Sequence, residues 1–140
     1  MSSRAGGVLY LDSSALVKLA VREPETAALE SELLRWPLCA TSSITAVEVG
    51  RATARARTQR RAVLAPRDVA ALLSATVEMI MTDRLRQTAS KLAPPELRTL
   101  DAIHVASALA LGPDLAAVVT YDVRMKQAAE GYRLRVLAPA

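Results

Sequence analysis

Four acidic residues lie where a predicted strand passes into a helix or just inside a helix: Asp12, Glu48, Asp101 and Asp122. Carboxylates gathered in one pocket repel each other and raise each other's pKa unless a cation neutralises them. A cluster of three or four such groups is therefore typical of a bound divalent metal ion. Metal-assisted hydrolysis of a phosphodiester is the chemistry that this set of residues favours.

The elements that must position these acids alternate between strand and helix. Short apolar runs predict five strands, at 8–11, 38–41, 79–82, 117–121 and 134–137. Helical spacing and capping residues predict helices over 15–21, 24–35, 69–77 and 99–111, with others capped by Ser42 or Ser43, Asp83 and Asp122. This alternation in 140 residues predicts a single domain, 1–140, of class α/β. We expect a mostly parallel five-stranded sheet between two helical layers, an α/β/α sandwich.

In such a sheet, ligands bind outside the carboxyl ends of the strands, where the strand order reverses. If strands one and four are neighbours there, Asp12 and Asp122 face each other across the crevice. Helices that start nearby would then bring Glu48 and Asp101 to it. Each acid alone also has an ordinary explanation, as a helix cap, a partner of the helix dipole or a solvated side chain. For Glu48 the ordinary explanation is an ion pair with Arg51.

Positive charge is the second feature that indicates a chemical role. The net charge is +4, and arginines concentrate at positions 51, 55, 57, 60, 61 and 67. Guanidinium groups pair well with phosphate, which makes Arg51, Arg55 and Arg57 candidate phosphate contacts. A solvated helix face explains the cluster equally well. The few aromatic residues are scattered, which disfavours binding of single strands by base stacking.

Other residues are less informative about chemistry. His104 lies one turn after Asp101 on the same helical face, where it could support a metal ligand or act as a general base. Its apolar neighbours favour a buried core residue, so we leave it outside the catalytic set. Cys39 is the only cysteine and is predicted to be a buried apolar residue without a disulfide partner. No apolar run approaches the roughly 18 residues of a membrane span, and no signal-peptide pattern occurs. These observations predict a cytoplasmic protein that does not contact a membrane.

Several function classes lack their sequence signatures. The chain has no Gly-x-Ser-x-Gly for a serine hydrolase and no glycine-rich phosphate loop after the first strand. A phosphoacceptor signalling domain would need a lysine near the end of the fifth strand, where Ala138 and Pro139 stand. The candidate site is therefore acidic rather than nucleophilic or phosphate-cradling.

Four motifs, taken in order, resemble those of the PIN-domain ribonucleases, and specifically the VapC toxins of bacterial type II toxin–antitoxin pairs. They are VLYLDSSALVKL at 8–19, SSITAVE at 42–48, LDAIHVASA at 100–108 and VTYD at 119–122. Each is weakly specific, but their order and spacing cover almost the whole chain. The region 51–91 carries no matching motif.

The resemblance implies a magnesium-dependent endoribonuclease, in which manganese may substitute. It implies that Asp12 and Asp101 are the principal metal ligands, with Glu48 direct or through water and Asp122 as the fourth acid. Ser13 and Thr120 match small hydroxyl positions beside the site. It further implies a cellular RNA substrate such as tRNA or rRNA, a VapB-like antitoxin that covers the site, and a homodimer. An RNA-processing nuclease without an antitoxin and a non-catalytic module of the same fold remain open, although the four acids argue against the latter.

Overall fold

The computed structural model describes residues 6–140. Its single sheet contains the strands β1 (Val8–Leu11), β2 (Leu38–Ser42), β3 (Val77–Met79), β4 (Leu115–Val119) and β5 (Val136–Leu137). The strand order is β3-β2-β1-β4-β5, and every pairing is parallel. The order reverses between β1 and β4, so the expected adjacency of strands one and four at this point is confirmed.

In the described range, 6–140, seven α-helices connect the strands. They are α1 (Ser13–Ala20), α2 (Thr26–Leu33), α3 (Thr45–Thr58), α4 (Pro66–Ser74), α5 (Asp83–Lys91), α6 (Thr99–Ala110) and α7 (Val123–Gly131), and a short 3-10 turn covers Gly112–Asp114. Among residues 6–140, none of these helices combines the length and the apolar character that a membrane span requires.

Alternate side chains of β1 enter two different cores. Leu9 and Leu11 pack in the core that α1, α2, α3 and α4 cover, whereas Tyr10 packs on the other face of the sheet with α6 and α7. All three side chains are fully buried or nearly so. Successive residues of a strand point to opposite faces, so the predicted three-layer α/β/α sandwich follows directly from this short central strand.

Several predicted boundaries are wrong. The third strand is Val77–Met79 rather than 79–82, because these are the residues that pair with β2. The hydroxyl of Thr82 accepts a hydrogen bond from the Leu85 amide and caps α5 in place of Asp83. Helix α3 begins after Ile44, which makes no side-chain capping bond, so neither predicted serine is its cap. Ser42 instead accepts a hydrogen bond from the Ile44 amide.

Smaller differences concern the other elements. The fourth strand lies two residues earlier than predicted, the fifth covers only Val136–Leu137, and α4 ends at Ser74. Cys39 is half-buried against the first core rather than fully buried, and burial raises the pKa of its thiol.

Gly7 allows the start of β1 to lie close to β4. Its φ is +104°, and a Cβ built there would lie 2.9 Å from the carbonyl oxygen of Asp114. We therefore expect Gly7→Ala to lower the free energy of unfolding by about 1–3 kcal/mol, measured by urea denaturation. Gly131→Ala is the matched control, because a Cβ at Gly131 meets no atom within 4 Å. Equal unfolding midpoints for the two variants would contradict the prediction.

Candidate active site

Asp12 lies at the carboxyl end of β1 and caps α1. Its Oδ1 accepts hydrogen bonds from the Ala15 amide at 3.0 Å and the Ser14 hydroxyl at 2.6 Å. Its Oδ2 accepts one from the Thr120 hydroxyl at 2.6 Å. The residue is only 3% exposed. The strand end, the cap and the two hydroxyls together fix both oxygens of this carboxylate.

The environment of Asp12 opposes its negative charge. Burial raises the pKa of Asp12, and the hydrogen bonds from Ser14 and Thr120 offset only part of this effect. An ionised carboxylate at this depth is unfavourable unless a cation lies nearby. Thr120, predicted as a supporting residue, is thus placed against Asp12, whereas Ser14 was not predicted as part of the site.

Glu48, in the first turn of α3, is held between two partners. The Ser13 hydroxyl donates to its Oε2 at 2.9 Å, and Nε2 of His104 lies 2.8 Å from its Oε1. Among the ion pairs of the described residues 6–140, none joins Glu48 to Arg51, so that alternative explanation is wrong. His104 is buried, as predicted, but its contact with Glu48 was not expected.

Asp101 and Asp122 are joined by Arg98, a residue that the sequence analysis missed. Nε of Arg98 donates to Oδ2 of Asp101 at 2.9 Å, and its Nη2 donates to Oδ2 of Asp122 at 3.2 Å. The hydrogen bond with Asp101 is the main cause of a raised pKa for Arg98. Asp122 also caps α7, since its Oδ1 accepts from the Arg124 amide at 2.8 Å. The one available signal was the spacing of three residues between Arg98 and Asp101 at a helix start.

All four predicted acids line one cleft of about 300 Å³ at the β1/β4 reversal. The cleft is completed by Ser13, Arg98, Thr99, Leu100 and His104. Within the described part of the chain, no three Asp, Glu, His or Cys side chains converge closely enough to form a ready metal-binding cluster. The available donors are carboxylate oxygens, which suit magnesium or manganese. Magnesium usually takes one or two protein carboxylates and fills its remaining positions with water and phosphate, so the arrangement fits that ion.

A second cleft, of about 510 Å³, adjoins the acidic one and shares Ser13, Glu48 and Leu100 with it. Arg51 and Arg55 also line this second cleft. Arg57, the third candidate phosphate contact, instead donates a hydrogen bond to the Leu64 carbonyl at 2.9 Å. The structure therefore places two of the three candidate arginines beside the acids.

Removal of the buried charge at Asp12 should stabilise the metal-free protein. Because the pKa of Asp12 is raised on folding, its carboxyl costs stability, and this cost grows as pH rises from the ordinary aspartate range to the raised pKa of the buried group. At neutral pH in EDTA we expect Asp12→Asn to raise Tm by roughly 4 °C for each ~1 kcal/mol of relief, measured by circular dichroism.

The exposed acid Asp114 provides the control for that experiment. Asp114→Asn should leave Tm unchanged, and the difference between wild type and Asp12→Asn should shrink as the pH is lowered. A lower Tm for Asp12→Asn at neutral pH would show that the hydrogen bonds outweigh the cost of burial.

The chain is similar to known proteins along most of its length. The PIN domain family model matches residues 9–131. The chain is 43% identical over 136 residues to Ribonuclease VapC46 of Mycobacterium tuberculosis, and this alignment covers 94% of this chain and 98% of the relative. It is 41% identical over 139 residues to Ribonuclease VapC35 of the same organism, covering 94% and 97%.

A solved structure shares the fold at lower sequence identity. It is described as "Toxin-antitoxin complex from Klebsiella pneumoniae", and it matches with a TM-score of 0.67 and 19% identity over 94% of this chain and 98% of that one. The family match spans all four acids of the cleft, and the two Mycobacterium relatives align along nearly their whole length. The chain therefore belongs to the PIN-domain family and, within it, to the VapC proteins.

Proposed function

We propose that this protein is a metal-dependent endoribonuclease that acts as the toxin of a type II toxin–antitoxin pair. The observation that carries the proposal is the meeting of Asp12, Glu48, Asp101 and Asp122 in one cleft at the strand-order reversal of a VapC-family chain. Relatives with 41% and 43% identity are named ribonucleases, which supports the same reaction here.

Asp12 and Asp101 would hold a magnesium ion, or manganese in its place, with Glu48 and Asp122 completing the site directly or through water. When bound, the ion would activate water and offset the charge that develops on the phosphate. Asp12 is suited to this role because its charge is buried and its oxygens are already oriented by hydroxyl donors.

Arg98 would contribute positive charge at the mouth of the cleft. Its guanidinium is about half exposed and neutralises part of the charge of Asp101 and Asp122. The remaining N–H groups of a guanidinium can donate to a phosphate oxygen in a charge-assisted hydrogen bond. Arg98 therefore fits a contact with the phosphodiester that is cleaved.

The second cleft, which Arg51 and Arg55 line beside the acids, supports a path for the RNA strand. Arg51 and Arg55 lie one turn apart on α3 and are exposed, and each is a suitable partner for a backbone phosphate on either side of the cleaved bond. Lys18 also lines this cleft, but its ammonium is paired with Glu25 at 2.9 Å and lies over the Tyr121 ring at 4.5 Å. The two arginines are therefore the better RNA contacts.

The proposed partner is a VapB-like antitoxin. The fold-sharing structure from Klebsiella pneumoniae is a toxin–antitoxin complex, which supports this proposal. A basic side chain of the antitoxin would find four acids in the cleft and would compete with the metal ion for them. The RNA target, such as tRNA or rRNA, and a homodimer stay predictions.

Cleavage should depend on both metal and acids. Purified wild type should cut total cellular RNA into discrete fragments with magnesium or manganese and should stop in EDTA. Asp101→Asn should reduce the cleavage rate by about 10²-fold or more, because it removes a charge on which the site depends. Asp114→Asn is the charge-matched control and should cleave normally. Cleavage that persists in EDTA or in Asp101→Asn would count against the proposed site.

The arginines of the second cleft lead to a separate prediction about RNA binding. In an Asp101→Asn background, which prevents cleavage, Arg51→Ala and Arg55→Ala should each reduce the slope of log K against log salt concentration by about 1. Arg57→Ala should change it less, because Arg57 is bonded to Leu64. The exposed Arg67 lies on α4 and serves as the control. Unaltered slopes for Arg51→Ala and Arg55→Ala would remove both residues from the RNA path.

A further inference from the structure

A buried line of hydrogen bonds runs from the sheet to the acidic cleft. The Tyr10 hydroxyl lies 2.7 Å from Nδ1 of His104, and Nε2 of the same ring lies 2.8 Å from Oε1 of Glu48. Ser13 donates to the other oxygen of that carboxylate at 2.9 Å. Tyr10 is fully buried and His104 is 2% exposed, so water does not compete for the contact between them.

The two partners of the imidazole differ in the hydrogen bonds that they can make. An ionised carboxylate only accepts, so the contact with Glu48 favours a proton on Nε2. Burial raises the pKa of Tyr10, so the phenol remains protonated and can donate to Nδ1. In a neutral imidazole one nitrogen accepts a hydrogen bond and the other donates one. An Nε2–H imidazole therefore satisfies both contacts.

Both ends of this line are attached to rigid elements. Tyr10 belongs to β1, which pairs with β2 on one side and β4 on the other. His104 lies in the middle of α6, one turn after Asp101, and packs edge-on against the Tyr10 ring with centroids 5.8 Å apart. Glu48 comes from a different helix, α3. The hydrogen bond to His104 thus connects the Glu48 carboxylate to the central strand.

We propose that His104, held as the Nε2–H tautomer by Tyr10, is a positioning residue that fixes the Glu48 carboxylate for a divalent metal ion. The inference rests on the proposed metal-dependent function. Ligand orientation through such outer contacts typically changes metal affinity by about 10- to 100-fold when it is lost. A histidine that only filled the core could be replaced by an apolar residue of similar volume without an effect on the cleft.

Binding of Mn²⁺ to the folded protein, measured by electron paramagnetic resonance, tests the role without reference to RNA cleavage. We expect His104→Leu to weaken Mn²⁺ binding by about 10-fold or more. His104→Gln should recover part of that loss, because its amide N–H can donate to Glu48. Val105→Ala is the matched control, since Val105 is a fully buried neighbour on α6 that lacks a polar contact. It should lower Tm but leave Mn²⁺ affinity unchanged.

Nitrogen-15 NMR of the imidazole tests the tautomer in the metal-free protein. The chain has one histidine, so an untagged, ¹⁵N-histidine-labelled sample gives the signals of His104 alone. Wild type should show the Nε2–H tautomer, and Tyr10→Phe should give a mixture of tautomers together with weaker Mn²⁺ binding. Tyr10→Phe removes one hydroxyl and keeps the ring, so it provides the test even if His104→Leu does not fold.

The outcomes separate this inference from the proposed function. Wild type that binds Mn²⁺ no more tightly than Asp101→Asn would overturn the metal site and, with it, the role of His104. Wild type that binds Mn²⁺ with the same affinity as Tyr10→Phe and folded His104→Leu would overturn the positioning role alone. An Nδ1–H tautomer in wild type would overturn the proposed direction of the hydrogen bonds.

Discussion

The fold places an ionisable carboxylate at the buried end of its central strand. Asp12 is almost inaccessible to water, and burial raises its pKa despite three hydrogen-bond donors. A protein can tolerate such a group when it is neutral or when positive charge is close. Within residues 6–140, the side chains that contact Asp12 directly are hydroxyl donors, and none of them is cationic. This uncompensated negative charge makes the cleft suited to an external cation, and the other acids add to the negative charge.

The remaining acids differ in their partners. Asp101 and Asp122 share Arg98, so part of their charge is compensated within the protein. Glu48 instead accepts a hydrogen bond from Ser13 and lies within hydrogen-bond distance of Nε2 of His104. A guanidinium compensates part of the charge of a carboxylate, whereas a hydroxyl donor orients an oxygen and leaves its charge in place. One cleft therefore combines a buried carboxylate, a pair whose charge is partly compensated and a carboxylate that hydrogen bonds orient.

Local sequence signals predicted the fold and the four acids well. Strand β1 and the cap at Asp12 could be predicted because an apolar run ends abruptly in a capping residue. A reversal of strand order between strands one and four then implied that Asp122 faces Asp12 across the crevice. The start of α5 was misplaced, because threonine and aspartate stand side by side and both are good caps. Arg98 and the contact between His104 and Glu48 could not be predicted with certainty, since they depend on how α3, α6 and α7 approach one another. Such distances arise from packing between distant segments rather than from local pattern.

Helix α6 presents its polar residues at a constant interval. Arg98 at its cap, Asp101 and His104 follow one another every three residues. Through them the helix contacts two further acids, Asp122 by way of Arg98 and Glu48 by way of His104. All three side chains must therefore keep their orientation toward the cleft. A single inserted or deleted residue between these positions would rotate part of the helix by about 100° and separate these contacts at once. A change in the length of the loops on either side of this helix would leave that spacing intact, so the site depends on the helix itself rather than on its connections.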